Sequence, residues 1–342
     1  MNFLSQGTIL RIVKRADKVK NVEIIGTGSY VPDRIVTNDE LSKIVETSDE
    51  WISSRSGIKE RRISLKENTS ELAAKAGLRA IENAKLEAKD IDLVIVATTS
   101  PDAFTPSTAC LVQAIIGAEN AVCFDVSAAC TGFIFALNTA TQFIKTGEYK
   151  TALVIGSEVL SKIMNWEDRT TCVLFGDGAG AVVLREGSNG IIKAYMGSDG
   201  VNSKFLYCPA VEVGNPFAAE IAKIESKISM NGREVFKFAV KAMDNSIKNV
   251  LEASKIDIDD IDYIVPHQAN IRIIEFVAKK LEISMDKFFV NLHNYGNTSG
   301  ATIPLALDEM NKKGMLKKGN KIILVGFGGG LTWGAAIIEW TM

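Results

Sequence analysis

Residues 84–96 read AKLEAKDIDLVIV, and residues 254–266 read SKIDIDDIDYIVP. The two stretches lie 170 positions apart and share one pattern: a helix end, a short acidic turn and an apolar strand. The same displacement pairs FALN (135–138) with LALD (305–308), and TALVIG (151–156) with KIILVG (321–326). Agreement at three separate places, each time between segments of like type, points to a duplicated α/β unit. Two copies are too few for a solenoid, so the halves are expected to pack on each other. The chain divides into an N-terminal extension over 1–21, a first half over 22–190 and a second half over 191–342. No low-complexity or Pro/Ser-rich linker separates the halves. The stretch 185–230 falls between matched parts and is expected to form loops and an insertion.

Short apolar runs alternate with helical patterns around this repeat. VEIIGTGSYVP (22–32), DLVIVATTSP (92–101), AVCFDV (121–126) and GAVVL (180–184) read as strands, and ELAAKAGLRAIENAKL (71–86) reads as a helix. At 342 residues the chain is long enough for a large core, and a protein of this size buries roughly 75% of its unfolded surface. Lys and Arg total 39 against 41 Asp and Glu, a balance that argues against nucleic acid as the main partner. No stretch of about 18 apolar residues suggests a membrane span. The first twenty residues are basic but lack the apolar centre of a secretory signal. Five cysteines at irregular spacing, with no C-x-x-C, fit neither a disulfide framework nor a metal cluster, and suit a reducing cytoplasm.

Cys130 stands in DVSAACTGF (125–133), after a strand and before a run of helical length. A helix N-terminus there would favour a thiolate and lower its pKa. Buried packing is the plain alternative, and the stronger one for Cys110, Cys123, Cys172 and Cys208. His267 follows IDYIV at a strand's C-terminal end, where open α/β sheets place ligands. Asn270 opens a helix whose buried face is expected at Ile271, Ile274, Ala278 and Leu281. Asn297 lies in YGNTSGAT (295–302), where an N-cap or turn role is the ordinary one. The 170 displacement sets Cys130 opposite Gly300, three residues past Asn297. Cys130, His267 and Asn297 are therefore expected to converge on one centre. His293 has no strand-end placement and reads as structural. GDGAGA (176–181) lacks the strand–helix context of a dinucleotide site.

Taken together, DVSAACTGF, VPHQAN, YGNTS, FGDGAGAVVL, TSDEWI with SRSGI, and FGGGLTWG resemble the β-ketoacyl-acyl carrier protein synthase III family, from about Val22 to the C-terminus. The resemblance implies the thiolase fold, a duplicated five-layer αβαβα sandwich, and a homodimer. It implies a ping-pong condensation in which an acyl-CoA acylates Cys130 and malonyl-acyl carrier protein then loses CO2 and attacks the acyl group. His267 and Asn297 would stabilise the enolate. The backbone N–H groups of Cys130 and Gly329 would form an oxyanion site, and Phe327 would shield the centre. Trp51 and Arg169 would sandwich the CoA adenine and Arg55 would contact phosphate, while Gly232, Phe236 and Asn270 would line the pantetheine tunnel. Arg272 matches a carrier-protein contact and shares a helix face with Lys279. No cofactor beyond the CoA thioester, no metal, no nucleic acid and no membrane is implied. Thr105, in AFTPSTAC (103–110), stands where many relatives have phenylalanine at the end of the acyl pocket, so the primer's length and branching stay open. A related enzyme making a specialised acyl or polyketide product, a non-catalytic partner subunit and a cysteine hydrolase are the competing readings. An intact nucleophile argues against the partner subunit, and a hydrolase would need neither a CoA-stacking pair nor a second enolate donor.

Overall fold

The computed structural model describes residues 21–217 and 225–342. The expected extension therefore lies outside the described residues, except Asn21, which opens the first strand. The first part of the chain runs β1 (Asn21–Tyr30), β2 (Ile35–Thr37), α1 (Asn38–Leu41), α2 (Asp49–Ser56), β3 (Glu60–Arg62), α3 (Thr69–Asn83), β4 (Leu93–Ala97), α4 (Thr108–Ile116), β5 (Val122–Val126), α5 (Gly132–Thr146), β6 (Thr151–Glu158) and β7 (Gly178–Gly187). The second runs β8 (Ile191–Ser198), β9 (Leu206–Tyr207), β10 (Ser229–Met230), α6 (Gly232–Ser254), β11 (Tyr263–Pro266), α7 (Ile271–Lys280), α8 (Leu292–Tyr295), α9 (Thr302–Lys312), β12 (Lys321–Gly328) and β13 (Thr332–Glu339).

The strands form two large sheets with one topology. The first has the order β1-β7-β6-β4-β5, and the second β8-β13-β12-β11. In both, one matched pair (β6 with β4, β12 with β11) is parallel and the remaining pairs towards β1 or β8 are antiparallel. The counterpart of β5 is reduced to a parallel bridge between Ile264 and Phe288. The 170 displacement persists at atomic detail. It carries β6 onto β12 end to end, and the 3-10 turn Ala129–Thr131 onto Ser299–Ala301. It also carries the left-handed residues Lys85 (φ 57°) and Ala129 (φ 46°) onto Lys255 (φ 57°) and Ser299 (φ 48°).

The stretch 185–230 departs from its expected reading. It contains β8, which pairs with β13 and corresponds to β1. Its sequence, IIKAYMGS, has few residues in common with β1, so the match was invisible without the sheet.

Alternate strand residues feed separate layers. Leu93, Ile95 and Ala97 of β4 point to a central core shared with Ile322 and Leu324 of β12, and with Phe133, Ile134, Leu137, Ile303 and Leu307 from α5 and α9. Val94 and Val96 face the outer helices α3 and α4, whereas Ile323, Val325 and Phe327 face α6 and α7. Strands buried on both faces read as unbroken apolar runs. The result is an αβαβα sandwich with α5 and α9 in the middle. The buried face of α7 is Ile273, Ile274, Val277 and Ala278, rotated from the expected one, with Ile271 and Leu281 only half-buried. That face is set by α6 and by Met285 and Phe288 beyond the helix, which helical spacing alone does not locate.

The two repeats cross-pack through glycines. A Cβ on Gly156 of β6 would overlap the Gly300 carbonyl oxygen, and a Cβ on its counterpart Gly326 of β12 would sit 3.5 Å from the Cys130 carbonyl oxygen. Each turn thus rests on the opposite sheet. Gly156→Ala is expected to destabilise the protein by about 1–3 kcal/mol through this overlap. Gly200→Ala, where nothing lies within 4 Å, is expected to stay within about 0.5 kcal/mol of the parent. Urea unfolding of the two variants checks the contrast.

Candidate active site

Strand β5 ends at Val126, and the chain turns through Ala128 and the left-handed Ala129 before Cys130. Cys130 is buried within the one-turn 3-10 helix, and α5 begins two residues later at Gly132. A bare backbone at Gly328 permits this: a Cβ there would lie 2.7 Å from the Cys130 nitrogen. His267 emerges from the C-terminal end of β11, and Asn297 precedes the Ser299–Ala301 turn. Cys130, His267 and Asn297 line one cavity of about 150 Å³, together with Phe327 and Gly328. Gly232, Phe236 and Asn270 line it as well. Gly328 forms the wall; Gly329, named from the sequence, is the next residue and is not part of the lining.

Hydrogen bonds fix each polar group. Asn297 Oδ1 accepts the Ser299 N–H at 2.8 Å, so its Nδ2 is the end left to donate. His267 Nδ1 lies 2.8 Å from Thr302 Oγ1, and that hydroxyl is 3.0 Å from the Ser299 carbonyl oxygen. The single Thr302 proton has two acceptors. Given to Ser299, it leaves the proton on Nδ1 and makes Nε2 an acceptor; given to His267, it makes Nε2–H a donor. The edge of the imidazole meets the Phe327 ring, with centroids 5.3 Å apart.

Burial dominates the electrostatics. It lowers the His267 pKa to about 3, so the ring is neutral at physiological pH. It pushes the Cys130 thiol up to about 12, against a weaker downward pull from Ser299. This corrects the expectation of a thiolate lowered by a helix terminus. The helix proper starts beyond Cys130, and exclusion of water outweighs its dipole.

The remaining predicted residues divide by location. Trp51 carries the Arg55 guanidinium 4.7 Å and the Arg169 guanidinium 5.4 Å from its ring centre. Arg169 also donates to the Glu46 carbonyl oxygen at 3.0 Å. Asn270 links this rim to the cavity by donating from Nδ2 to the Arg55 carbonyl oxygen at 2.9 Å, while its Oδ1 caps α7 through the Arg272 N–H. Arg272 and Lys279 are exposed on α7. Thr105 is exposed on the loop after β4 and lies outside the cavity lining, so within one chain it does not close an acyl pocket. Cys172 is buried as expected, whereas Cys208 is exposed and Cys110 and Cys123 are half-buried. Among the described residues no cluster of three or more His, Cys, Asp or Glu is placed to hold a metal ion.

Sequence reading missed three polar groups around the centre: Thr302, Ser299 and Glu158. It also missed Arg61, wholly buried, whose guanidinium donates to the carbonyl oxygens of Val36 (3.2 Å) and Val173 (2.7 Å) and to Asn38 Oδ1 (2.8 Å). The repeat held a signal for two of them. Displacement by 170 sets Ser299 on Ala129 and Glu158 on Gly328, both beside Cys130.

Two layered sheets of one topology, with a buried cysteine at the crossing of their turns, define the thiolase fold. The description "3-Oxoacyl-[acyl-carrier-protein (ACP)] synthase III" matches residues 124–200, and its C-terminal counterpart matches 251–340. Beta-ketoacyl-[acyl-carrier-protein] synthase III of Clostridium acetobutylicum is 72% identical over 324 residues, covering 94% of this chain and all of the relative. The Clostridium novyi protein of the same name is 62% identical over 321 residues, covering 94% of this chain and 99% of the relative. The crystal structure of 3-oxoacyl-[acyl-carrier-protein] synthase III from Aquifex aeolicus superposes with a TM-score of 0.87 at 46% identity, covering 94% of this chain and all of that one. The chain belongs to the 3-oxoacyl-[acyl-carrier-protein] synthase III family.

Because His267 does not titrate near neutrality, decarboxylation of malonyl-acyl carrier protein is expected to be flat between about pH 5 and pH 8. A rate profile checks this, and a step near pH 6.5 that vanishes in His267→Gln would contradict the neutral ring.

Proposed function

We propose that Cys130 is the acyl-carrying nucleophile of a decarboxylating condensation, with His267 and Asn297 as the enolate's hydrogen-bond donors. The protein is an acyltransferase that joins an acyl-CoA primer to malonyl-acyl carrier protein. The products are a β-ketoacyl-acyl carrier protein, CoA and CO2, and the reaction initiates type II fatty acid synthesis. The observation that carries the residue roles is the convergence of these three side chains on one buried cavity.

In the first half-reaction, Cys130 Sγ attacks the thioester carbonyl carbon and the C–S bond to CoA breaks. Negative charge collects on the carbonyl oxygen, where the Cys130 and Gly329 N–H groups would receive it. In the second, the malonyl carboxylate leaves as CO2 and its electron pair passes into the thioester enolate. Asn297 Nδ2 and His267 Nε2–H, the tautomer in which Thr302 donates to Nδ1, hold that oxygen without protonating the carbon. The enolate carbon attacks the acyl group and Cys130 leaves. Phe327 against the imidazole, and burial of the whole centre, keep water from both reactive species.

Asn270, in the cavity wall, is tied to Arg55 of the Trp51, Arg55 and Arg169 cluster, a flat aromatic–guanidinium group suited to an adenine and its phosphates. Gly232, Phe236 and Asn270 line the cavity, where we place the pantetheine arm. No cofactor beyond the CoA thioester enters this scheme. Exposed Arg272 and Lys279 suit an acidic carrier protein. Thr105 can bound the acyl pocket only across a subunit contact, so its role and the homodimer stand together. The halves divide at 190/191, and 1–21 is read as a non-catalytic extension. Among the described residues no helix is long and apolar enough to cross a membrane; we read the protein as cytoplasmic, acting on soluble partners and on neither nucleic acid nor membrane. Full-length similarity to enzymes named for the synthase III reaction does not favour the specialised-product alternative.

Intact mass measured after incubation with a panel of acyl-CoAs is expected to show one acyl adduct, mapped to Cys130 and absent from Cys130→Ala. Peptide mapping is needed because Cys208 is exposed. His267→Ala and Asn297→Ala are expected to lower malonyl decarboxylation by about 10²-fold or more, with acylation much less affected. Equal loss of both steps would contradict the division of roles.

A further inference from the structure

Burial leaves Cys130 as a thiol, so its attack on a thioester requires a place for its proton, and neutral His267 is already committed to the second half-reaction. Near Cys130, outside the cavity lining, lies a carboxylate that this chemistry has not used. Glu158 ends β6 and is wholly buried. Its Oε2 accepts from Ser100 Oγ at 2.5 Å, the Ser100 N–H at 3.1 Å and Thr98 Oγ1 at 3.2 Å. Thr99 adds its N–H and hydroxyl, the latter 3.1 Å from Oε1. The Ser100 hydroxyl itself accepts the Val159 N–H at 2.9 Å, which commits its proton to Glu158. Every one of these neighbours donates, an environment made for a carboxylate. The nearby cation is Lys162, bound to Asn68 Oδ1 at 2.6 Å and the Pro101 carbonyl oxygen at 3.0 Å.

Oε1 is the oxygen that faces the Ser299–Ala301 turn: a Cβ on Gly300 would lie 3.8 Å from it. Ser299 is buried in that turn in a left-handed conformation (φ 48°). Its side chain exerts a hydrogen-bonding pull on both the Cys130 thiol and the Glu158 carboxyl. The turn itself reaches both sides: a Cβ on Gly300 would also lie 3.4 Å from the Ala129 carbonyl oxygen, so the Ser299 hydroxyl stands within reach of nucleophile and carboxylate alike.

We propose that Ser299 and Glu158 form a proton store for Cys130, filled on acylation and emptied on condensation. The inference rests on the reading of Cys130 as the acyl-carrying nucleophile. As Sγ attacks the carbonyl carbon, its proton passes to Ser299 Oγ while the Ser299 proton passes to Glu158. The C–S bond to CoA breaks, and the CoA thiolate takes a proton from solvent. When the enolate carbon attacks the acyl-enzyme, the Sγ–acyl bond breaks, its electron pair returns to sulfur, and Glu158 gives the proton back through Ser299. The store is refilled and emptied once per turnover, so no net proton crosses the buried wall. Protonation also removes the carboxylate's charge at the moment an oxyanion forms nearby. Burial raises the Glu158 carboxyl above the ordinary range, which makes it a better acceptor than an exposed glutamate.

The test exploits a difference in sign. As a mere neighbouring charge, Glu158 opposes thiolate formation, so Glu158→Gln would speed reaction of Cys130. As a proton acceptor, its loss slows it. Single-turnover acylation by acyl-CoA and alkylation by iodoacetamide are measured at pH 7 in the wild type, Glu158→Gln and Ser299→Ala, with malonyl-acyl carrier protein decarboxylation alongside. Alanine already occupies the matching left-handed position at Ala129, and the Ser299 N–H that orients Asn297 is kept in Ser299→Ala. The expected result is a fall in acylation of about 10²-fold in both variants, with decarboxylation lowered far less. Acylation equal to or faster than wild type in Ser299→Ala overturns the store, whether or not Glu158→Gln folds. Absence of any adduct on wild-type Cys130 would instead remove the functional reading and the store with it.

Discussion

The structure depends on the contact between each repeat's turn and the other repeat's central strand. The Ser299–Ala301 turn lies on β6 at Gly156, and the Ala129–Thr131 turn lies on β12 at Gly326 and Gly328. A Cβ at Gly156 or Gly328 would overlap the facing turn, and one at Gly326 would already be in van der Waals contact with it. With them bare, one buried point receives the ends of β6, β11 and β12 and the turns after β5 and α8. Cys130 from one repeat and His267 and Asn297 from the other can meet only where the repeats interpenetrate in this way. The chemistry is thus a property of the pairing rather than of either half.

At that point water is excluded, and exclusion decides the state of every titratable group. The thiol keeps its proton and the imidazole stays neutral. The centre consequently presents oriented donors, with a protonated thiol beside a neutral ring. Such a site needs exact placement of hydroxyls and amides, and the two 3-10 turns supply it. Asn297 Oδ1 is tied to the Ser299 N–H, and Thr302 spans His267 and the Ser299 carbonyl oxygen.

Much of this was legible in the chain, for identifiable reasons. The repeat survives where both copies face the same environment: β4 and β11, or β6 and β12, are buried on both faces and retain like apolar runs. It is lost in β8, an edge strand whose residues are nearly all exposed or half-exposed, so an element of the second sheet looked like an insertion. Cys130, His267 and Asn297 could be placed because each stands at a strand end or turn marked by local sequence. Glu158 and Ser299 are marked only by the 170 displacement, since their partners lie about 58 to 169 positions away and nothing local distinguishes them. The Cys130 environment was misjudged for a related reason: a helix terminus is readable from sequence, whereas the depth at which it is buried is a property of the whole fold.

Arg61 has a consequence for the outer end of the site. Its buried guanidinium fastens the β2–β3 flap, through Val36 and Asn38, to Val173 in the segment that also carries Arg169. Trp51 stands on that flap, so the indole and its guanidinium partner are mounted on one plate with an internal rivet. The width of the mouth is set by contacts that ionic strength does not reach, while the charges lining it remain open to screening. Salt can therefore weaken the pull of these guanidinium groups on an anion without altering the spacing of the groups themselves.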